Sequence, residues 1–220
     1  MLCRGWLATL ILTASFSLMA AHGADTNEAR SVSVGITEST DTSLWRDGLG
    51  SGLRAGTLDT GFALGAGIGM EGLGESTRHD LALTLIQFGR IISEPLAPGR
   101  WYGGNFELGA ELAAGGTFYP DNAYLVGLSP TLRYHFMTGT PWVPFIEGGA
   151  GPAVTDIGLP DLGSKFQFID HFGFGVNWFH GQADALSVEV RFIHISNAGY
   201  KDPNYGVNTG MLLMGWKRFF

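Results

Sequence analysis

Phe166-Gln167-Phe168-Ile169-Asp170-His171-Phe172-Gly173-Phe174-Gly175-Val176-Asn177-Trp178 decides how this chain folds. The even positions carry Phe166, Phe168, Asp170, Phe172, Phe174, Val176 and Trp178; the odd ones carry Gln167, Ile169, His171, Gly173, Gly175 and Asn177. Successive side chains of a strand point to opposite faces. One face here is greasy with a single exception, and the other is small or polar.

The same period of two recurs on both sides of this stretch. Phe106, Leu108, Ala110 and Leu112 alternate with Glu107, Gly109, Glu111 and Ala113. Tyr124, Val126, Leu128, Leu132, Tyr134 and Phe136 alternate with Leu125, Gly127, Ser129, Thr131, Arg133 and His135. Leu186, Val188, Val190 and Phe192 alternate with Ser187, Glu189, Arg191 and Ile193. Strands are predicted over 61–71, 80–92, 102–114, 123–137, 142–154, 164–178, 184–197 and 207–220. The fifth alternates poorly, because Glu147 shares the phase of Val143 and Phe145, so its register stays open.

A soluble sandwich would turn the apolar faces inward. A transmembrane barrel turns them outward to lipid and the polar faces into the lumen. Two features favour the barrel. Trp101, Tyr102, Trp142, Trp178 and Trp216 lie near predicted strand ends, where aromatic girdles sit. The chain also ends in Phe219-Phe220, with Leu212, Met214 and Trp216 on the face of Phe220, which resembles the assembly signal of outer-membrane barrels. The expected fold is all-β: an eight-stranded antiparallel transmembrane (outer-membrane) β-barrel. A barrel this small is filled by its own side chains, which argues against solute transport. The inward Glu107, Glu111, Arg133, Glu189, Arg191 and His171 are read as a lumen ion-pair network.

Composition agrees. Of 220 residues, 34 are glycine and 15 phenylalanine, and charged residues are only 15%, which excludes a disordered chain and fits strands and turns. A net charge of −7 argues against nucleic acid as a partner. Arg4 precedes an apolar stretch from Leu7 to Ala21, and Ala21-His22-Gly23 offers small residues for cleavage, so 1–23 reads as a signal peptide. Cys3 falls within it, leaving no thiol in the mature chain. Residues 24–60 are expected as an N-terminal extension or an extra strand, since Val32, Val34 and Ile36 alternate.

One polar cluster interrupts the lipid face. His194 and Ser196 continue the apolar phase of Leu186 to Phe192, and Asn208 shares the phase of Leu212, Met214 and Trp216. A symmetric 198–206 loop sets Asn208 opposite Ser196. A turn near Gly181 sets His194 opposite Phe168, with Asp170 one diagonal away. A charge facing lipid at the midplane costs about 2–4 kcal/mol, less near the interface. The bland reading is a polar collar at the membrane interface. The functional reading is an esterase acting on a lipid. Histidine takes the serine proton, serine attacks an acyl ester, a third group orients the imidazole, and a neighbouring amide holds the oxyanion. That chemistry needs no cofactor and no metal. On this reading 61–220 is a β-barrel esterase domain.

His194-Ile195-Ser196-Asn197-Ala198-Gly199-Tyr200-Lys201-Asp202-Pro203-Asn204 resembles the signature of the PagL-type lipid A 3-O-deacylases: His-x-Ser-Asn-Ala-Gly, then Lys-x-Pro-Asn. Pro144-Phe145-Ile146-Glu147-x-Gly149 and Phe168-x-Asp170-x-x-Gly173-x-Gly175 resemble that family in order and spacing. The resemblance covers roughly Trp101 to Phe220. It implies a small outer-membrane barrel that hydrolyses the 3-position ester of lipid A, with His194 as base, Ser196 as nucleophile and Asn197 as oxyanion donor. It implies lipid A of lipopolysaccharide in the outer leaflet as partner, and leaves a homodimer open. One departure matters: the family's acidic triad member falls fourteen residues after the histidine, where this chain has Asn208. An asparagine can fix the imidazole tautomer but cannot stabilise imidazolium by charge, so a slower enzyme is expected. Asp170 is the better-placed source of the missing charge, with Asp202 as the alternative.

An outer-membrane phospholipase, which shares the His-x-Ser with a downstream Asn, and a catalytically silent barrel are the rival readings. Gly67-x-Gly69-x-x-Gly72 matches a dinucleotide fingerprint in letters only, because no helix pattern follows it. Asp156, Asp161 and Asp202 are read as solvated loop carboxylates.

Overall fold

A computed structural model describes residues 43–71 and 77–220. The expected signal peptide, the alternating Val32 to Ile36 and Gly72 lie outside the described residues. Eight strands follow in order: β1 (Leu58–Gly69), β2 (Asp80–Ile91), β3 (Gly104–Tyr119), β4 (Ala123–Phe136), β5 (Trp142–Thr155), β6 (Phe166–Phe179), β7 (Asp184–Ser196) and β8 (Val207–Phe219). Each pairs antiparallel with its sequence neighbours, and β1 pairs with β8 from Asp59↔Phe219 to Gly69↔Thr209, which closes the barrel.

Closure leaves no free sheet edge, as a hydrocarbon surrounding demands. Outward positions are apolar: Phe62, Leu64, Phe88, Leu108, Leu128, Phe172, Phe174 and Met214 are all exposed. Trp142 and Trp178 stack across β5 and β6 with ring centres 5.7 Å apart, as a girdle pair would.

The lumen is charged at its waist and oily at both ends. Arg191 Nε donates to Glu189 at 2.7 Å and Nη1 to Glu111 at 2.6 Å, and its Nη2 also reaches Glu147. Arg133 Nε donates to Glu147 at 2.7 Å, and Lys217 Nζ to Asp59 at 2.6 Å. His171 Nε2 lies 3.7 Å from Glu147. The inward charges therefore form the expected ion-pair network. Toward the Phe220 end, Trp45, Leu53, Val143, Phe179 and Phe219 close the lumen; toward the other end, Leu81, Leu83, Leu125, Ile169, Ile193 and Ile195 do so. This layering explains the poor alternation of β5. Val143 and Phe145 point inward with Glu147 because they fill the oily layer beneath it, and the outward phase is Trp142, Pro144 and Ile146.

Residues 43–57 form a cap under the barrel. Trp45 bridges to Leu53, packs edge-on against Phe179 at 4.8 Å, and donates its Nε1–H to Gln182 O at 2.8 Å. Asn105 holds Leu53 from both sides, accepting from its N–H and donating to its carbonyl at 2.9 Å each.

Candidate active site on the lipid-facing wall

The end of the barrel opposite Phe220 carries the connections 70–79, 120–122, 156–165 and 197–206. The polar cluster lies just below it. One row crosses β6, β7 and β8 as Asp170↔His194↔Asn208, and Ser196 sits in the next row opposite Phe168. Both expected registers are corrected by two residues: Asn208 faces His194 rather than Ser196, and Asp170 rather than Phe168 faces His194. Tyr205 leaves the ladder to donate its N–H to Asp161 O at 3.0 Å, so pairing of β7 with β8 begins at Ile195↔Val207.

The new register improves the site. Asn208 Oδ1 lies 2.8 Å from His194 Nδ1. An amide oxygen can only accept, so Nδ1 carries the hydrogen and the Nε2 lone pair is free for a base's work. Asn208 is buried, and its carbonyl accepts the Met70 N–H at 2.8 Å. Gly206, at φ +76°, must be glycine: a Cβ there would come within 2.8 Å of His194 Cε1. Ser196 is half-buried on the same face of β7 as His194, two residues on.

The remaining expected residues do not join the cluster as foreseen. Asp170 is exposed on the lipid face and forms no ion pair with His194 among the described residues. It stands across the ladder, where paired Cβ atoms are about 4.5–5.5 Å apart. Asp202 is exposed in the loop and does not bond the imidazole either. Asn197, expected as the oxyanion donor, is engaged with the loop that follows it. Its side chain is fully buried, with Nδ2 donating to Lys201 O at 2.6 Å and Oδ1 accepting the Gly199 N–H at 2.9 Å. These bonds fold the loop after Ser196.

Two of the supposedly solvated carboxylates are engaged. Asp156 accepts the Tyr124 N–H at 2.6 Å. Asp161 is 1% exposed and accepts from Thr77 N at 2.9 Å, Thr77 Oγ1 at 2.5 Å and His79 Nε2 at 2.8 Å. Burial pushes its carboxyl up, but these hydrogen bonds outweigh burial and hold it below the ordinary value of 3.8. Sequence reading missed Thr77 and His79, since nothing local links them to a residue more than 80 positions away.

Fold and site together define a small outer-membrane β-barrel with a histidine and a serine on its lipid-facing wall. The family model described as Lipid A 3-O-deacylase (PagL) matches residues 94–217, and the chain belongs to that family. It is similar to the lipid A deacylase PagL of Pseudomonas aeruginosa, 41% identical over 87 residues, covering 38% of this chain and 47% of that protein. It is also similar to the lipid A deacylase PagL of Bordetella bronchiseptica, 32% identical over 122 residues, covering 52% of this chain and 63% of that protein. The chain thus spans about half to under two thirds of the curated relatives it matches. Among solved structures, the outer membrane enzyme PagL superposes with a TM-score of 0.52 at 25% identity, over 70% of this chain and 97% of that one. Neisserial surface protein A superposes with a TM-score of 0.56 at 17% identity, over 76% of this chain and 98% of that one, which supports the fold alone.

Proposed function

We propose that this protein is an outer-membrane serine esterase that removes the ester-linked acyl chain at the 3-position of lipid A. The observation that carries the reading is the 2.8 Å Asn208–His194 bond beside Ser196 on the lipid-facing wall. Family membership supplies the substrate class. With the Phe220 end of the barrel toward the periplasm, the cluster lies at the outer leaflet, where the acyl ester of lipid A meets the wall.

Nε2 of His194 takes the Ser196 proton as Oγ attacks the ester carbonyl. The imidazolium then gives that proton to the departing sugar oxygen, and water, activated by the same ring, releases the fatty acid from serine. Asn208 keeps the ring and its tautomer in place throughout. The Asp170 carboxylate, across the ladder from His194, supplies negative charge toward the imidazolium without touching it. Asn197 contributes by folding the loop that directly follows Ser196. The acyl chain stays in the bilayer, so no enclosed pocket is required.

The test is mass spectrometry of lipid A and phospholipids from cells expressing this protein or its Ser196→Ala variant. Lipid A lighter by one hydroxyacyl chain, absent with the variant, is the expected result. Lysophospholipid instead would make the protein a phospholipase. No change in either lipid would leave a catalytically silent barrel.

A further inference from the structure

Three of the connections above the site converge on Asp161. Its carboxylate accepts two hydrogen bonds from Thr77 and one from His79, at the foot of the connection between β1 and β2. Its own carbonyl accepts the Tyr205 N–H at 3.0 Å. The residues beside it continue the clamp: Leu162 bridges to Asn204, and the Gly163 N–H donates to Pro203 O at 2.7 Å. Gly163 is pressed so close that a Cβ would come within 2.3 Å of Asp202 O.

Asn204, held in this way, accepts the Asn197 N–H on its Oδ1 at 2.9 Å, directly after Ser196. On the other side, the His79 carbonyl accepts the Thr209 hydroxyl at 3.1 Å, directly after Asn208. A continuous path of short bonds therefore runs from Asp161 to the residues flanking both Ser196 and Asn208.

Thr77, His79 and Asp161 have the composition of a second hydrolytic triad, but not its wiring. A triad uses the two ring nitrogens for different partners. Here Thr77 Oγ1 and Asp161 Oδ2 both approach Nε2, at 3.1 and 2.8 Å, while Nδ1 is buried with no partner among the described residues. A carboxylate only accepts, so Nε2 donates to Asp161 and has no lone pair with which to activate the threonine. The arrangement is a clamp.

We infer that Asp161, locked by Thr77 and His79, is a positioning residue for the esterase site: it holds the 156–165 connection against the 197–206 loop and so sets the backbone around Ser196 and Asn208. The inference rests on the function proposed above, and its test separates the two. Asp161→Ala and His79→Leu are compared with the native protein and with Ser196→Ala, all refolded in detergent and confirmed as closed barrels by heat-modifiable electrophoretic mobility. Two quantities are read: kcat and KM on lipid A, and amide hydrogen exchange across 197–206.

Loosening the clamp is expected to speed exchange at Asn197 and Tyr205 by about tenfold or more. It should lower kcat by about thirtyfold with KM within about twofold, the pattern of a displaced nucleophile rather than lost binding. Asp161→Asn, which keeps an acceptor oxygen, should recover part of the loss. Ser196→Ala should abolish turnover with exchange unchanged. Folded Asp161→Ala and His79→Leu barrels with native exchange in this loop would overturn the inference, as would native kcat. A native protein that turns over no lipid would sink the proposed function, and the exchange measurement would still decide whether Asp161 holds the loop.

Discussion

Asn208 Oδ1 accepts the His194 Nδ1–H at 2.8 Å, which fixes the tautomer that leaves Nε2 basic. A carboxylate there would do the same and also attract the imidazolium. In the proposed mechanism the neutral residue suffices for tautomer selection, which needs only an acceptor. Asn208→Glu is therefore expected to retain activity and raise kcat, by up to about tenfold, or about 1.4 kcal/mol of transition-state stabilisation. Steady-state deacylation of lipid A in detergent reads this, and complete loss would remove Asn208 from the orienting role. At this scale His194 and Ser196 were readable from strand parity alone. The loop bonds of Asn197 were not: the family resemblance implied an oxyanion donor, and the two hydrogen bonds that tie its amide into the 197–206 loop leave no local pattern.

Between β5 and β6, the 156–165 connection is tied through Asp161 to Thr77, His79 and Tyr205. The sign of its titration is clear. A carboxyl held below its unfolded value contributes stability that is fully present above that value and lost as pH falls through the lowered one. The unfolded reference is 3.8, so the clamp is expected to persist at neutral and mildly acidic pH and to release only below that value. Hydrogen exchange of Tyr205 in the refolded barrel, followed from pH 6 downward at matched intrinsic rates, should stay protected until then; release near pH 5–6 would show that another group controls the loop. Strand positions were read within a few residues because alternation is local. The register of β7 on β8 was not, since it depends on where a loop stops pairing, and the Tyr205 N–H there bonds Asp161 on another connection.

For the barrel as a whole, the buried ion-pair network replaces what a soluble protein would fill with an apolar core. Arg191 touches Glu111, Glu147 and Glu189 and is 1% exposed. Removing one partner of a buried pair strands the others, at a cost of about 3–5 kcal/mol. Arg191→Leu should lower unfolding free energy by that amount in urea titrations of the refolded barrel, leaving three carboxylates short of a partner. A change under about 1 kcal/mol would mean that water reaches the lumen and screens the charges. The oily layers on either side of the network, with the 43–57 cap beneath, argue that it does not.

Alternation of apolar and polar residues specified eight strands and put His194 and Ser196 on their apolar face; the aromatic residues near strand ends and the terminal phenylalanine turned that face outward on a barrel. The period of two is a property of neighbouring residues and needs no partner strand to be read. Which side chain orients the histidine, what Asn197 does, and why Asp161 is buried beside His79 were decided only when strands and loops far apart in the chain came together. Those outcomes turn on a ladder offset of two residues and on hydrogen bonds between connections, neither of which leaves a local pattern in the sequence.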